Sequence, residues 1–375
     1  MKRFLLLPAF LLAVCCLKEE TPSEHFHVDG TDILSPEGMA RAFSRLPLAQ
    51  EHLDEVFDAV SSSSENGYDE EYMLKDLLES PGKGVGGGPT KAGLRTTTPL
   101  RDLLADYIAM NCGTKGAGIE PVLQAISDSG MQIYWPYSED WDGKTWPIVT
   151  FDPGYGIETN YGYALGLDSV GRWTVDSVYV DESVARTRPV WVINANDDAA
   201  FTPAELFLQD NGTKAPNPVQ RCLLLRSFTM LRNYDTWFQG GSEFMIKIGS
   251  VDGFTASTEA ELKLYTASIT DMMIVVKRKY LGKEIPYDAV LMTDFTNQLD
   301  KLAFLVTEDD GGTQTTWESE ATVKWQSKSY GFAVKLPYNE KDDIVWRGRL
   351  AASFFQEADE VSGRFGDVVI KFSLQ

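Results

Sequence analysis

The apolar pattern of this chain changes period once, near Met131, and that change limits its fold more than any other feature. Before it, apolar residues recur every three or four positions; after it, they alternate with polar ones in short runs separated by Gly, Asp and Pro. A helix-period pattern buries one stripe, whereas a period of two buries one face of a strand, so the two halves must build different elements. The alternating runs at 131–134, 147–151, 162–167, 172–180 and 190–194 predict strands. A polar connection at 196–218 follows. Strand-like runs then resume at 223–229, 244–248, 261–265, 272–277, 289–292, 302–307, 322–325, 331–336, 344–350 and 368–372. Many short strands with turn signals between them predict an antiparallel β-sandwich.

The first part reads as helical. Ser35 before Pro36 is an N-cap followed by proline at the first helical position, and Met39, Phe43 and Leu46 share one face. Leu53, Val56, Phe57 and Val60 mark a second helix, and 69–80 a third. Leu100, Leu103, Leu104, Tyr107 and Ile108 form the stripe of a fourth, and a short helix is expected at 121–126. The glycine-rich 82–93 fits GxGxxG in form. It follows a helix where a dinucleotide-binding loop follows a strand, so it reads as a linker. The expected fold class is α+β and multidomain: a small helical domain at 35–130, a β-rich middle at 131–219 and a C-terminal antiparallel β-sandwich at 220–375.

The chain opens with a basic Lys2-Arg3 and an apolar run from Phe4 to Val14, too short for the roughly 20 residues that span a bilayer. Leu12-Ala13-Val14-Cys15 and Ala13-Val14-Cys15-Cys16 both resemble a bacterial lipobox. Cys16-Leu17-Lys18-Glu19-Glu20 resembles the lysine-plus-acids signal of surface lipoproteins of Bacteroidota. The resemblance implies a signal peptide over 1–15, lipidation at Cys16, a tether over 16–34 and display on the outer membrane. The match covers only these few residues and implies nothing about the fold.

Net charge is −21, and a surface so acidic repels phosphate backbones, which excludes nucleic acid as a partner. The basic run Lys277-Arg278-Lys279 follows a strand pattern and reads as a solvated strand end. The chain has three histidines, His25, His27 and His52, and none in the β regions, so a histidine-based hydrolytic site is not expected there. Cys112 and Cys222, far apart in sequence, leave open both one disulfide and two free thiols.

Two constellations carry the remaining chemistry. Glu139 and Asp140 lie among Trp135, Tyr137, Trp141 and Trp146. Rings beside acids suit a ligand-binding site for a glycan, the carboxylate pair of a glycosidase, or a loop whose rings plug a core. Asp309 and Asp310 follow one strand pattern, and Asp342 and Asp343 precede another. Acidic loops at the ends of a sandwich can supply oxygens to calcium. The arrangement resembles the acidic turns of C2 domains but departs from them by the long insertion 313–339 between the clusters. The expectation is thus a lipid-anchored surface protein with a non-enzymatic binding or structural role toward a glycan or another surface protein. The alternative is a carboxylate-dependent, glycosidase-like hydrolase.

Overall fold

The computed structural model describes residues 32–79, 98–111, 118–167, 169, 173–196 and 221–375. The leader, Cys16 and the tether through residue 31, the glycine-rich 82–93, Cys112 and most of the polar connection lie outside the described residues.

The described residues are β-rich and form three sheets. The first has strand order β1-β2-β6-β3-β4-β5, from β1 (Glu71–Met73), β2 (Met131–Tyr134), β3 (Ile148–Phe151), β4 (Thr159–Leu167), β5 (Trp173–Asp181) and β6 (Val190–Ala195). β3 and β6 run parallel and the other pairs antiparallel. Helix α1 (Pro36–Arg45) lies on this sheet. Ser35 caps it, accepting the Gly38 N–H at 3.0 Å, and Met39 and Phe43 are fully buried. Gly38 is required by close approach: a Cβ there would meet the Asp32 carbonyl oxygen at 1.9 Å.

The helices expected as a separate domain share one hydrophobic core with this sheet. Met39, Phe43, Leu53, Val56, Leu74, Leu104 and Ile108 pack in one cluster with Ile133, Trp135, Val149, Trp191 and Ile193. Chain is therefore exchanged across the expected boundary at 130/131. Part of the helix expected over 69–80 becomes β1, which pairs antiparallel with β2, and only Leu74–Glu79 is helical. The Trp135 N–H donates to Glu70 O at 2.8 Å, extending that ladder. Sheet-edge hydrogen bonds outweigh local helix propensity, which is a weak prior.

Residues 221–375 form two antiparallel sheets over a common core. One has order β10-β7-β16-β15, from β7 (Arg221–Met230), β10 (Ile285–Phe295), β15 (Glu360–Phe365) and β16 (Val368–Leu374). The other runs β13-β12-β11-β8-β9, with β14 also pairing β11, from β8 (Ser242–Ser250), β9 (Ser268–Val276), β11 (Leu299–Glu308), β12 (Gln314–Trp325), β13 (Lys328–Asn339) and β14 (Asp343–Ala351). Phe228, Phe365 and Phe372 of the first pack with Phe244, Phe304 and Val306 of the second, as in a sandwich. The strand expected at 261–265 is instead the helical turn Glu259–Leu262. Thr258 accepts the Glu261 N–H at 3.2 Å and the Glu261 carboxylate takes the Thr258 N–H at 3.3 Å, a capping box.

The insertion 313–339 is a single long hairpin. β12 and β13 pair without a break from Gln314 opposite Asn339 to Trp325 opposite Lys328. An in-register hairpin returns the chain to where it left, so its two ends, which carry the two acidic clusters, lie side by side. The halves of the molecule meet through the loop between β7 and β8. Trp237 and Phe238 are buried against Tyr134, Ile148, Val180, Val190 and Val192 of the first sheet. The Trp237 indole N–H donates to Glu158 O at 2.8 Å, and Asn194 Nδ2 donates to Phe238 O at 3.1 Å.

Candidate functional site

Trp135 leaves the end of β2 fully buried, edge-on to Trp191 at 5.8 Å and to Trp141 at 5.1 Å. Trp141, half-buried, also packs on Phe57 at 5.2 Å, and its indole N–H donates to Thr145 O at 2.9 Å. Trp146 turns away and meets Trp173 edge-on. These rings are tilted or perpendicular, as in a packed core, and form no flat platform.

A cleft of about 150 Å³ opens beside the stack. Its walls include Tyr137, Asp140, Trp141, Thr145, Arg186 and Arg188. Tyr137 has a left-handed backbone (φ 59°), costly for a bulky residue. Its hydroxyl donates to Glu182 at 2.7 Å and the Arg186 guanidinium lies over its ring. Two carboxylates here are held as anions. Burial opposes ionisation of Glu139, but its hydrogen bond from Lys279 wins and its pKa is lowered. The backbone N–H groups of Thr145 and Lys144, with the Thr145 hydroxyl, hold Asp142 below the ordinary range.

The basic run is not a solvated strand end. Lys277 pairs with the buried Glu70 at 2.8 Å. Arg278, its side chain 11% exposed, reaches both carboxylate oxygens of Glu182, at 3.2 and 3.3 Å, and donates to Asp235 O at 2.6 Å. Lys279 bridges Glu139 and Glu70. The end of β9 abuts the first sheet, so its cations meet acids contributed by the other half of the chain. Glu70 is nonetheless pushed well up in pKa, first by burial and then by Asp69, against the opposing pull of Lys277. The Asp69 carboxylate also accepts the Gly241 N–H at 2.6 Å across the junction.

At the end of the sandwich the hairpin brings the two acidic clusters together. Buried Asp309 accepts the Gly311 N–H and Asn339 Nδ2, both at 3.0 Å. Asp342 accepts the Asn339 N–H at 2.8 Å and the Asp310 N–H at 3.4 Å. Asp343 is exposed on β14, opposite Glu308. Asp310 and Asp342 are both pushed up to about 6. Burial is the largest cause for each; Asp235 then adds to the effect at Asp310 and Asp309 at Asp342. Beneath this rim lie three acids that the sequence pattern did not single out as ligands. Asp235, Glu243 and Glu308 are buried, with one carboxylate oxygen of each within 4.8 Å of the others. Glu243 sits in β8, whose other residues are also buried, and a carboxylate in so buried a strand is the one sequence signal that pointed here.

His52 is a structural residue. Its Nδ1 accepts the Ala49 N–H at 2.8 Å, so Nε2 carries the proton it gives to Thr98 O at 2.6 Å. Cys222 is a free thiol whose S–H points to Thr293 O at 3.3 Å. Among the described residues no helix is long and apolar enough to cross a membrane. No protein-family model matches the chain, and no curated protein or solved structure does either.

Proposed function

We propose that this chain is a lipid-anchored protein of the outer membrane, displayed at the cell surface, that binds a glycan without cleaving it. The anchor rests on Cys16 and the Lys18-Glu19-Glu20 signal. The cleft beside Trp141 is the observation that carries the binding role. It offers one half-buried indole, the Asp140 carboxylate and the Arg186 and Arg188 guanidinium groups to a ligand's face and hydroxyls. At about 150 Å³ it is smaller than the ~300–1,000 Å³ of usual small-molecule pockets, which suits one sugar ring or a chain end.

The state of the carboxyls favours binding over the glycosidase alternative. Such an enzyme needs a proton-donating acid with a raised pKa facing a second carboxylate. Here Glu139, one of the Glu139 and Asp140 pair, is tied to Lys279 and held as an anion. The test is retention on a panel of immobilised polysaccharides. Wild-type protein should be retained, and Asp140→Ala and Arg188→Ala should lose retention while keeping the wild-type melting temperature, since both residues are exposed. No retention of the wild type, or undiminished retention of both variants, refutes the reading.

A further inference from the structure

We propose that β5, the outer strand of the first sheet, pairs with β5 of a second copy of this chain, antiparallel about Ser177, and joins two molecules through one continuous sheet. Among the described residues β5 pairs with β4 alone. That pairing runs without a bulge from Thr159 opposite Asp181 to Leu167 opposite Trp173. The other side of β5 is therefore a regular row of backbone groups.

Which groups face outward follows from β4. The Leu165 N–H donates to Pro147 O at 3.2 Å, and the Tyr161 carbonyl accepts the Thr150 hydroxyl at 3.0 Å. Tyr161, Tyr163 and Leu165 thus turn their backbone groups toward β3. In an antiparallel pair, opposed residues either bond each other or both face away. Their opposites Tyr179, Ser177 and Val175 accordingly point their N–H and C=O groups to the open edge.

Such an edge is a template for another strand, and proteins guard it with lysine, proline, bulges or short length. The other outer strands are guarded or covered. β1 has three residues. β10 contains Pro286 and several register shifts. β13, β14 and β15 carry Lys335, Arg347 and Arg364, and β9 is buried over Met272–Val276. β5 has no proline, lysine or arginine in its nine residues, and it leaves Val175 39% and Tyr179 52% exposed. Exposed Tyr161 meets Tyr179 edge-on at 6.3 Å and extends this surface.

The order of residues in the strand suits its own copy. Trp173–Asp181 is nine residues long with Ser177 at its centre, so an antiparallel pair about Ser177 overlaps the whole strand. Ser177 then exchanges both backbone bonds with the second copy's Ser177. Val175 falls opposite the second copy's Tyr179, a favourable β-branched and aromatic pair that symmetry repeats. Asp176 falls opposite Val178 and Asp181 opposite Trp173, so no acid faces an acid. Centring on Asp176 would set two aspartates against each other, and centring on Val178 would leave Trp173 and Thr174 unpaired.

The experiment uses the full-length chain in detergent, followed by sedimentation. The wild type should show a monomer–dimer equilibrium that moves to dimer with concentration. Ser177→Lys and Ser177→Glu each set like charges opposite one another. Each alone should be monomeric and keep the melting temperature of dilute wild type, since Ser177 is exposed. Mixing the two should restore the dimer. Ser177→Cys should form an interchain disulfide above the wild-type level, because opposed Cα atoms in such a pair lie ~5.5 Å apart, within disulfide reach. Val175→Cys alone should not crosslink, but mixed with Tyr179→Cys it should. A wild type that stays monomeric at its highest soluble concentration overturns the proposal. So does a dimer that survives both Ser177 charges, a mixture of the two that stays monomeric, or a Val175→Cys chain that crosslinks to itself. The glycan reading does not enter this test, so either can fail alone.

Discussion

Replacing Arg278 with Ala tests whether the basic run clamps the two halves together. The guanidinium makes two charge-assisted bonds to Glu182 and one to the Asp235 carbonyl, with its side chain 11% exposed and that of Glu182 24% exposed. Breaking a buried ion pair costs about 3–5 kcal/mol, because the remaining charge is stranded. Glu182 would not be wholly stranded, since the Tyr137 hydroxyl at 2.7 Å and Arg186 at 2.9 Å still serve it. That lowers the expected loss to about 2–4 kcal/mol. Urea unfolding followed by tryptophan fluorescence would read it, with Glu182→Gln and the double variant completing a cycle. The two single losses should exceed the double loss by about 1–2 kcal/mol. The pair also gives a pH signature. Burial disfavours the Glu182 anion, but Arg278 and Tyr137 overcome this and lower its pKa below the ordinary glutamate range. Its stabilisation is therefore complete above the unfolded value and is lost as pH falls through the lower folded value. Arg278→Ala should flatten that acid limb. A loss under about 0.5 kcal/mol with no change in acid sensitivity would mean that the guanidinium is solvated, and the clamp would be refuted.

Three further outcomes are expected. Cys16→Ala should release the protein from washed membranes, and recovery of mature, unacylated protein in the membrane fraction would count against the anchor. Gly249→Ala should destabilise by about 1–3 kcal/mol, because a Cβ there would meet Val334 Cγ1 at 2.1 Å; Val334→Ala should recover part of the loss, measured in the same urea assay. Thr258→Ala should cost about 1 kcal/mol through loss of the capping box, a shift readable in the urea midpoint.

Much of the fold was legible where local pattern and tertiary demand agree. The alternation at 244–248, 302–307 and 368–372 lies within β8, β11 and β16, because one face of each strand meets the sandwich core. The pattern failed where a distant partner decided the outcome. Residues 71–73 carry helix-compatible side chains yet pair with β2, and 261–265 lost its strand to a capping box and helical turn. Trp135 and Trp141 could be recognised as neighbours in a turn, but only the positions of Phe57 and Trp191 make them a stack.

The candidate sites divide the same way. The sequence by itself determined the lipobox-like run at Cys16, the acidic charge, the lack of histidine in the β regions and the presence of two acidic clusters, since these are matters of composition and short-range order. Tertiary structure alone decided that the 313–339 hairpin returns Asp342 to Asp309, and that Asp235 and Glu243 lie beneath them beside Glu308. It also decided that Lys277, Arg278 and Lys279 meet Glu70, Glu139 and Glu182 rather than water. The physical reason is range. Helix and strand periodicity is written within a few residues, whereas ion pairs and converging carboxylates depend on the register of strands far apart in the chain.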